Sequence, residues 1–266
     1  MTDNLKEIVV KRYSDRISGK SGTSGVSSCC STSTVLNEGN KSEDSSCSGG
    51  SSCSTGNSSD PLEGKLGDIS NQSFGCGNPV GLSSVKEGDI VVDLGSGAGL
   101  DCIRVASSVG VNGKVIGVDL SDEMIAKAKQ NAKTMKMENR ISFVKGDIEN
   151  IPLKENSASL VISNCVLALA PDKQKVYNEI YRILENGGRF VISDVVSAVK
   201  IPQELRDNME LFSSCTSGAS QIDEYFAIIK NSGFRDVEEM ERKSYESLNS
   251  GGKEIEMYSI TVRGHK

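Results

Sequence analysis

The sequence contains no tryptophan, a single histidine and only five prolines among its 266 residues. The lone imidazole is His265, beside the C-terminal residue, so histidine-based acid–base catalysis and histidine-rich zinc sites are poorly provided for. No clean Cys-x-x-Cys pair is present either, which speaks against a cysteine-only zinc site. Positive charge is in deficit: 30 Lys and Arg face 36 Asp and Glu, a formal net charge of −6. Neutralising phosphates takes clustered cations, so no nucleic-acid partner is expected. Nor does any apolar run approach the roughly 20 residues of a membrane span, and no membrane partner is expected. Met1 is followed by Thr2-Asp3-Asn4-Leu5-Lys6-Glu7 with no apolar leader core, so a cytoplasmic location is expected.

Cysteine, by contrast, is plentiful, with eight residues. In a reducing compartment these are read as reactive or ligating thiols rather than a disulfide framework. Composition divides the chain into three parts. Residues 1–18 read as a helix with Leu5, Ile8, Val9, Tyr13 and Ile17 along one approximate face. Residues 19–60 form a Ser/Gly/Cys-rich insert, with 15 serines in the 39 residues from Ser21 to Ser59. Such a tract buries too little apolar surface to offset the entropy of ordering, and disorder is expected there. It also holds Cys29, Cys30, Cys47 and Cys53, either incidental to a spacer or, at the adjacent Cys29-Cys30 pair, suited to capture or redox exchange. Residues 61–266 are enough for one well-buried domain.

Within that domain, strands and helices alternate. Strands are predicted at 89–93, 114–119, 141–145, 158–163 and 188–194, with helices at 99–109, 121–136 and 172–185. Ser121 reads as a helix N-cap and Asn186-Gly187-Gly188 as a helix stop. Two further helices are expected at 202–215 and 221–231, and strands near 234–240 and 255–262 should close the sheet as an antiparallel edge. Alternation of this kind predicts an α/β fold with a doubly wound, mostly parallel sheet.

Ile90-Val91-Val92-Asp93 runs into Gly95-Ser96-Gly97-Ala98-Gly99, a strand entering a glycine turn and then a helix. A dinucleotide fingerprint needs a glycine where Leu100 stands, and Asp93 would repel a pyrophosphate. A carboxylate at that spot suits the ammonium and sulfonium of S-adenosylmethionine. Asp119, twenty residues beyond Gly99, is placed to accept ribose hydroxyls. Gly146-Asp147-Ile148 fits the adenine, and Met124 either covers the other side of the ring or packs in the core. Leu120 and Asn164 complete the expected cofactor contacts, with Asp93, Gly95, Ser96, Gly97, Gly99, Asp119, Met124, Asp147 and Ile148. A plain tight turn, or another nucleotide enzyme, are the competing readings of the loop.

Buried cysteine is usually inert, and Cys102 is assigned to packing. Three others stand elsewhere. Cys165 follows the fourth strand at the edge where open α/β sheets bind ligands. Cys215 lies in a polar turn above the same edge. Cys76 sits between Gly75 and Gly77 just before Asn78-Pro79, a helix cap and first turn. Soft thiolates favour soft acceptors, and three match the trigonal pyramid of trivalent arsenic.

From about Phe74 to Val262 the chain resembles the arsenite S-adenosylmethionine methyltransferases. The resemblance is carried by Phe74-Gly75-Cys76-Gly77, Asp93-Leu94-Gly95-Ser96-Gly97 with Asp101-Cys102, Ser163-Asn164-Cys165-Val166 with Pro171-Asp172-Lys173, and Cys215 followed by Gly218-Ala219. It implies the class I, Rossmann-like methyltransferase fold, with Cys76, Cys165 and Cys215 as catalytic arsenic ligands. It also implies arsenite or its thiol conjugates as substrate, and a thiol reductant such as thioredoxin or glutathione as partner. Ser73-Phe74 stands where many relatives carry tyrosines, which removes any hydroxyl role there, and long members continue beyond the final strands. Two other functions stay open: methylation of carbon, nitrogen or oxygen in a small molecule, with structural cysteines, and a metalloid scavenger built on the serine–cysteine tract.

Overall fold

A computed structural model describes residues 2–17, 75–208, 212 and 215–266 of the chain. The expected 19–60 insert with Cys29, Cys30, Cys47 and Cys53 lies outside these residues, as do Ser73 and Phe74.

Eight strands form one sheet: β1 (Ile90–Leu94), β2 (Lys114–Asp119), β3 (Ile141–Lys145), β4 (Ala158–Asn164), β5 (Leu184–Ser197), β6 (Ser220–Gln221), β7 (Arg235–Ser250) and β8 (Lys253–His265). Their order is β3-β2-β1-β4-β5-β8-β7, with β6 paired to the end of β5. β1 to β5 are mutually parallel, and β8 and β7 run antiparallel as the expected closing edge. The order reverses direction between β1 and β4, the position where open α/β sheets leave a crevice at their carboxyl ends. Asp93 and Leu94, Asp119 and Asn164 all reach that edge.

The helices are α1 (Thr2–Ile17), α2 (Pro79–Leu82), α3 (Leu100–Ala106), α4 (Asp122–Thr134), α5 (Lys173–Ile183), α6 (Gln203–Arg206) and α7 (Ile222–Asn231). Local signals account for several ends. Ser121 accepts from Met124 N at 3.2 Å, Asp172 from Lys175 N at 3.1 Å, and Asn78 from Gly81 N at 3.0 Å. The expected 202–215 helix is described only as α6 and a helical Phe212. One boundary differs in kind. Gly187-Gly188 does not stop the helix ahead of the strand; α5 passes directly into β5 at Leu184, and the glycines lie in a bulge between the pairings Ala158↔Leu184 and Leu160↔Arg189. A bulge takes glycine for the same reason a helix stop does, and Gly187 has φ +81°.

Both sheet faces are covered. Val92, Leu94, Val161, Phe190 and Ile192 meet α5 and α7 on one side, while Val91, Val115, Leu160 and Ile162 meet α3 and α4 on the other. Tyr177, Phe190 and Phe234 pack edge to face, with the Phe190 and Phe234 centroids 4.7 Å apart. Such pairs each add about 0.5–1.5 kcal/mol beyond their buried area. A third, smaller apolar cluster lies beyond the sheet's carboxyl edge and contains Cys165, Cys215, Val195, Phe212 and Met257, with Cys76, Leu5, Val9 and Tyr13 at its margin.

Candidate active site

The crevice at the switch point is lined by the glycine turn, Asp93, Asp119, Leu120, Met124, Gly146, Asp147, Ile148, Asn164, Cys165 and, from α1, Lys6, Val9, Val10 and Tyr13. Nearly all expected cofactor contacts therefore share one cleft; Gly99 sits behind it, against Phe143 and Ala128. Gly95 and Gly97 both have positive φ, +68° and +51°. A β-carbon on Gly95 would collide with Val166, whereas one on Gly97 would meet nothing within 4 Å because it faces the cleft. Asp119 Oδ2 accepts from Gly97 N at 2.9 Å and Oδ1 from Ser121 N at 2.9 Å, which ties the second strand to the glycine turn.

The cleft is strongly acidic. Burial pushes the Asp93 carboxyl well up, and the nearby Asp101 and Asp119 carboxylates add to the rise. Burial also raises Asp119, against hydrogen bonds from backbone amides. Cys102, assigned to packing from sequence, is buried and donates its thiol to Asp93 Oδ2 at 3.2 Å. It packs in the core and orients the carboxylate as well. Ser96 Oγ is buried without a hydrogen-bond partner. A cleft with crowded carboxylates, an orphaned hydroxyl and an open face at Gly97 fits a cationic ligand that carries hydroxyl and amine groups.

Where Gly146, Asp147 and Ile148 line the cleft, Asp147 is engaged within the protein. Its Oδ2 takes Lys6 Nζ at 2.6 Å and its Oδ1 accepts from Glu149 N at 2.9 Å, while Lys6 also meets Glu149 Oε2 at 2.6 Å. Further along α1, Ser14 Oγ lies 3.0 Å from Ser121 Oγ. The helix thus roofs the cofactor cleft. Its amphipathic face was legible, but where it docks was not.

Of the three singled-out cysteines, Cys165 lines this cleft, and Cys215 and Cys76 join it in the apolar cluster beyond the sheet edge. Hydrogen bonds with the thiols of Cys215 and Cys76, together with burial, push the Cys165 thiol well up. Cys215 Sγ donates to Cys165 O at 3.2 Å, and the Tyr13 hydroxyl lies 3.9 Å from Cys215 Sγ. All three are free thiols. They are neighbours about Cys165 rather than a finished cage: among the described residues no three His, Cys, Asp or Glu side chains are arranged to hold a metal ion. Cys165 and Cys215 both occupy the left-handed region, at φ +61° and +68°. Side chains with a β-carbon persist there only when the surroundings over-determine them, and such residues cluster at functional sites.

Asn164 lines the cleft and also holds the backbone of the loop that carries Cys76. Its Oδ1 accepts from Cys76 N at 3.0 Å and Gly77 N at 3.2 Å, and its Nδ2 donates to Gly77 O and Asp101 Oδ2, each at 3.1 Å. A β-carbon on Gly75 would strike this amide, so the bare Gly-Cys-Gly loop lies flat on Asn164. Ser259 Oγ holds the Cys76 carbonyl at 2.6 Å from the other side. Of the cleft residues that sequence reasoning did not assign to the site, Lys6, Val10 and Leu169 carry no motif of their own, while Val166 and Ser121 were read only as part of a motif and as a helix cap.

The chain is similar to proteins of known kind. The chain is 42% identical over 173 residues to an arsenite methyltransferase of Halobacterium salinarum, covering 65% of this chain and 44% of that protein. It is 33% identical over 207 residues to one of Aquipseudomonas alcaligenes, covering 74% and 59%. The chain thus spans about half the length of the curated relatives it matches. The crystal structure of an arsenic(III) S-adenosylmethionine methyltransferase from Chlamydomonas reinhardtii superposes with a TM-score of 0.67 at 32% identity, covering 75% of this chain and 70% of that one. Residues 85–247, more than half of the chain, match the family described as methyltransferase domain, and the chain belongs to that family.

Proposed function

We propose that this protein methylates trivalent arsenic, arsenite or methylarsenite, bound by the thiolates of Cys76, Cys165 and Cys215, and so detoxifies it. The observation that carries the reading is the grouping of Cys76, Cys165 and Cys215 about one apolar cluster, with Cys215 Sγ 3.2 Å from Cys165 O and Cys165 on the wall of an acid-lined cleft.

S-adenosylmethionine, when bound, supplies an electrophilic methyl group on a cationic sulfur. Asp93, held by Cys102, would face its ammonium; Asp119 its ribose; and Ile148, Leu120 and Met124 its adenine. Asn164 fixes the Cys76 loop at the boundary of the two subsites. The apolar cluster around the thiols admits a neutral arsenic hydroxide or thiol conjugate more readily than an anion. Each thiol gives up a proton as its sulfur displaces an oxygen or sulfur ligand from arsenic, and the displaced group leaves as water or thiol. Holding the acceptor beside the donor subsite makes the reaction effectively unimolecular, worth about 7–11 kcal/mol of barrier. No histidine is needed, because the arsenic lone pair carries no proton to remove. Methylation leaves arsenic pentavalent; two of the ligating cysteine sulfurs restore it to the trivalent state by leaving together as a disulfide, so that two arsenic–sulfur bonds break, one sulfur–sulfur bond forms and two electrons stay on arsenic. A thiol reductant such as thioredoxin or glutathione then reopens that disulfide. Such chemistry belongs in a reducing, cytoplasmic setting; among the described residues no helix is long and apolar enough to cross a membrane.

The test is incubation with arsenite, S-adenosylmethionine and a thiol reductant, followed by speciation of arsenic. Methylated arsenicals are expected. Intact arsenite, with the cofactor bound, would overturn the reading.

A further inference from the structure

Lys173 has no role in the chemistry above, and its position is an expensive one. It is the first residue of α5, where the helix dipole disfavours a cation. As a residue it is half-buried, yet its ammonium is enclosed by protein. Among the described residues no carboxylate is in ion-pair contact with it. Instead, Nζ donates to Gly218 O at 2.8 Å and Ala170 O at 3.4 Å. These two carbonyls belong to different parts of the site. Ala170 ends the single 3-10 turn (Leu167–Leu169) that follows Cys165, and Gly218 closes the turn that follows Cys215. One ammonium therefore clasps the two segments that present these two sulfurs.

Other contacts point the same way. Gly218 lies so close to the Ala168 carbonyl that a β-carbon there would collide with it. Asp194 at β5, fully buried, is the principal negative charge acting on Lys173, and its Oδ1 accepts from Ala168 N at 3.3 Å. The preceding residue supplies Ser193 O, which accepts from Cys165 N at 2.8 Å. Both cysteines are in the left-handed region, so their geometry needs holding from outside. An enclosed charge that binds two loop carbonyls, rather than forming a contact ion pair, is costly as a stability device. It is well suited to fixing a distance.

We propose that Lys173 is a positioning residue that sets the spacing of the Cys165 and Cys215 sulfurs for a trivalent arsenical. The inference rests on the thiol-ligation reading of the preceding section. The experiment compares wild type, K173M and K173R, with arsenite binding followed by arsenic–sulfur absorbance and S-adenosylhomocysteine binding by calorimetry.

Loss of charge-assisted hydrogen bonds of this kind should weaken arsenite binding in K173M by about tenfold or more. It should raise KM for arsenite and leave nucleoside affinity within about twofold, about 0.4 kcal/mol. K173R retains a cation with several donors and should recover most of the loss. Folded K173M with wild-type arsenite affinity overturns the proposal. Wild type that binds no arsenite sinks the ligation reading instead, and the two failures are distinguishable. If K173M does not fold, the double variant K173M/D194N removes both buried charges: weakened arsenite binding with intact nucleoside binding supports positioning. Wild-type arsenite binding in the double variant, or its failure to fold, makes the lysine structural and overturns it.

Discussion

Gly97→Ala separates the cofactor subsite from the fold that holds it. In the protein, the new methyl group would meet nothing within 4 Å, and Gly97 N would keep its 2.9 Å bond to Asp119. The folded state therefore loses only the cost of a β-carbon at φ +51°, about 1–2 kcal/mol. In a domain of this size that lowers Tm by roughly 2–4 °C per kcal/mol. The methyl group stands, however, in the space assigned to the methyl donor. Forcing a close-packed group into that space costs about 1–3 kcal/mol, roughly 5- to 150-fold in affinity. Gly95→Ala provides the contrast: its β-carbon strikes Val166, so there the fold itself is strained. Calorimetric titration with S-adenosylhomocysteine beside a thermal melt reads both quantities. Unchanged affinity in Gly97→Ala, with the modest melt shift present, would show that the open face of the turn is not where the cofactor lies.

Other outcomes follow from the same geometry. Cys165→Ser should keep nucleoside binding and abolish arsenite methylation; wild-type turnover would remove this thiol from the mechanism. Lys6→Ala removes the bonds to Asp147 and Glu149 and should loosen α1, with faster amide exchange across residues 2–17 and cofactor affinity lowered about two- to fivefold, as for a partly exposed ion pair; unchanged exchange would refute the docking role. The Lys173 and Asp194 pair should shape stability against pH. Burial raises Asp194 to about 6, opposed by Lys173, so the folded state binds more protons than the unfolded one between its ordinary carboxylate pKa and 6, and stability falls as pH rises through that window. Burial lowers Lys173 to about 8, so from there to the ordinary lysine range the unfolded state binds more protons and stability rises with pH. Melts of wild type and K173M/D194N across pH 4–10 test this, and identical profiles refute it.

What was legible in the sequence was local or periodic. The turn from Asp93 to Gly99, the Ser121 cap and the alternation of strands and helices are each encoded within a few residues, and all stand in the structure. Cys165 follows a parallel strand, so its place at the ligand-binding edge could be read from topology, whereas Cys76 and Cys215 come from connecting segments whose packing against it could not. What stayed hidden depends on side chains far apart in the chain. Lys6 meets Asp147 across 141 positions, and no spacing rule links them. Cys102 looked like filler because a thiol bonded to Asp93 has the burial of an inert one. Asn164 does line the cleft, but its bonds to the Cys76 loop and to Asp101 could not be read from its position at a strand end. Gly187-Gly188 suited a helix stop and a bulge equally well, and pairing with β4 chose the bulge.

The first helix touches two places at once: Lys6 grips Asp147 and Glu149 while Tyr13, two turns on, rests against the Cys215 sulfur. A stiff rod with a foot in each compartment makes their occupancies interdependent. Whatever seats it at one end pre-organises the other, and by thermodynamic reciprocity the favour is returned in equal measure.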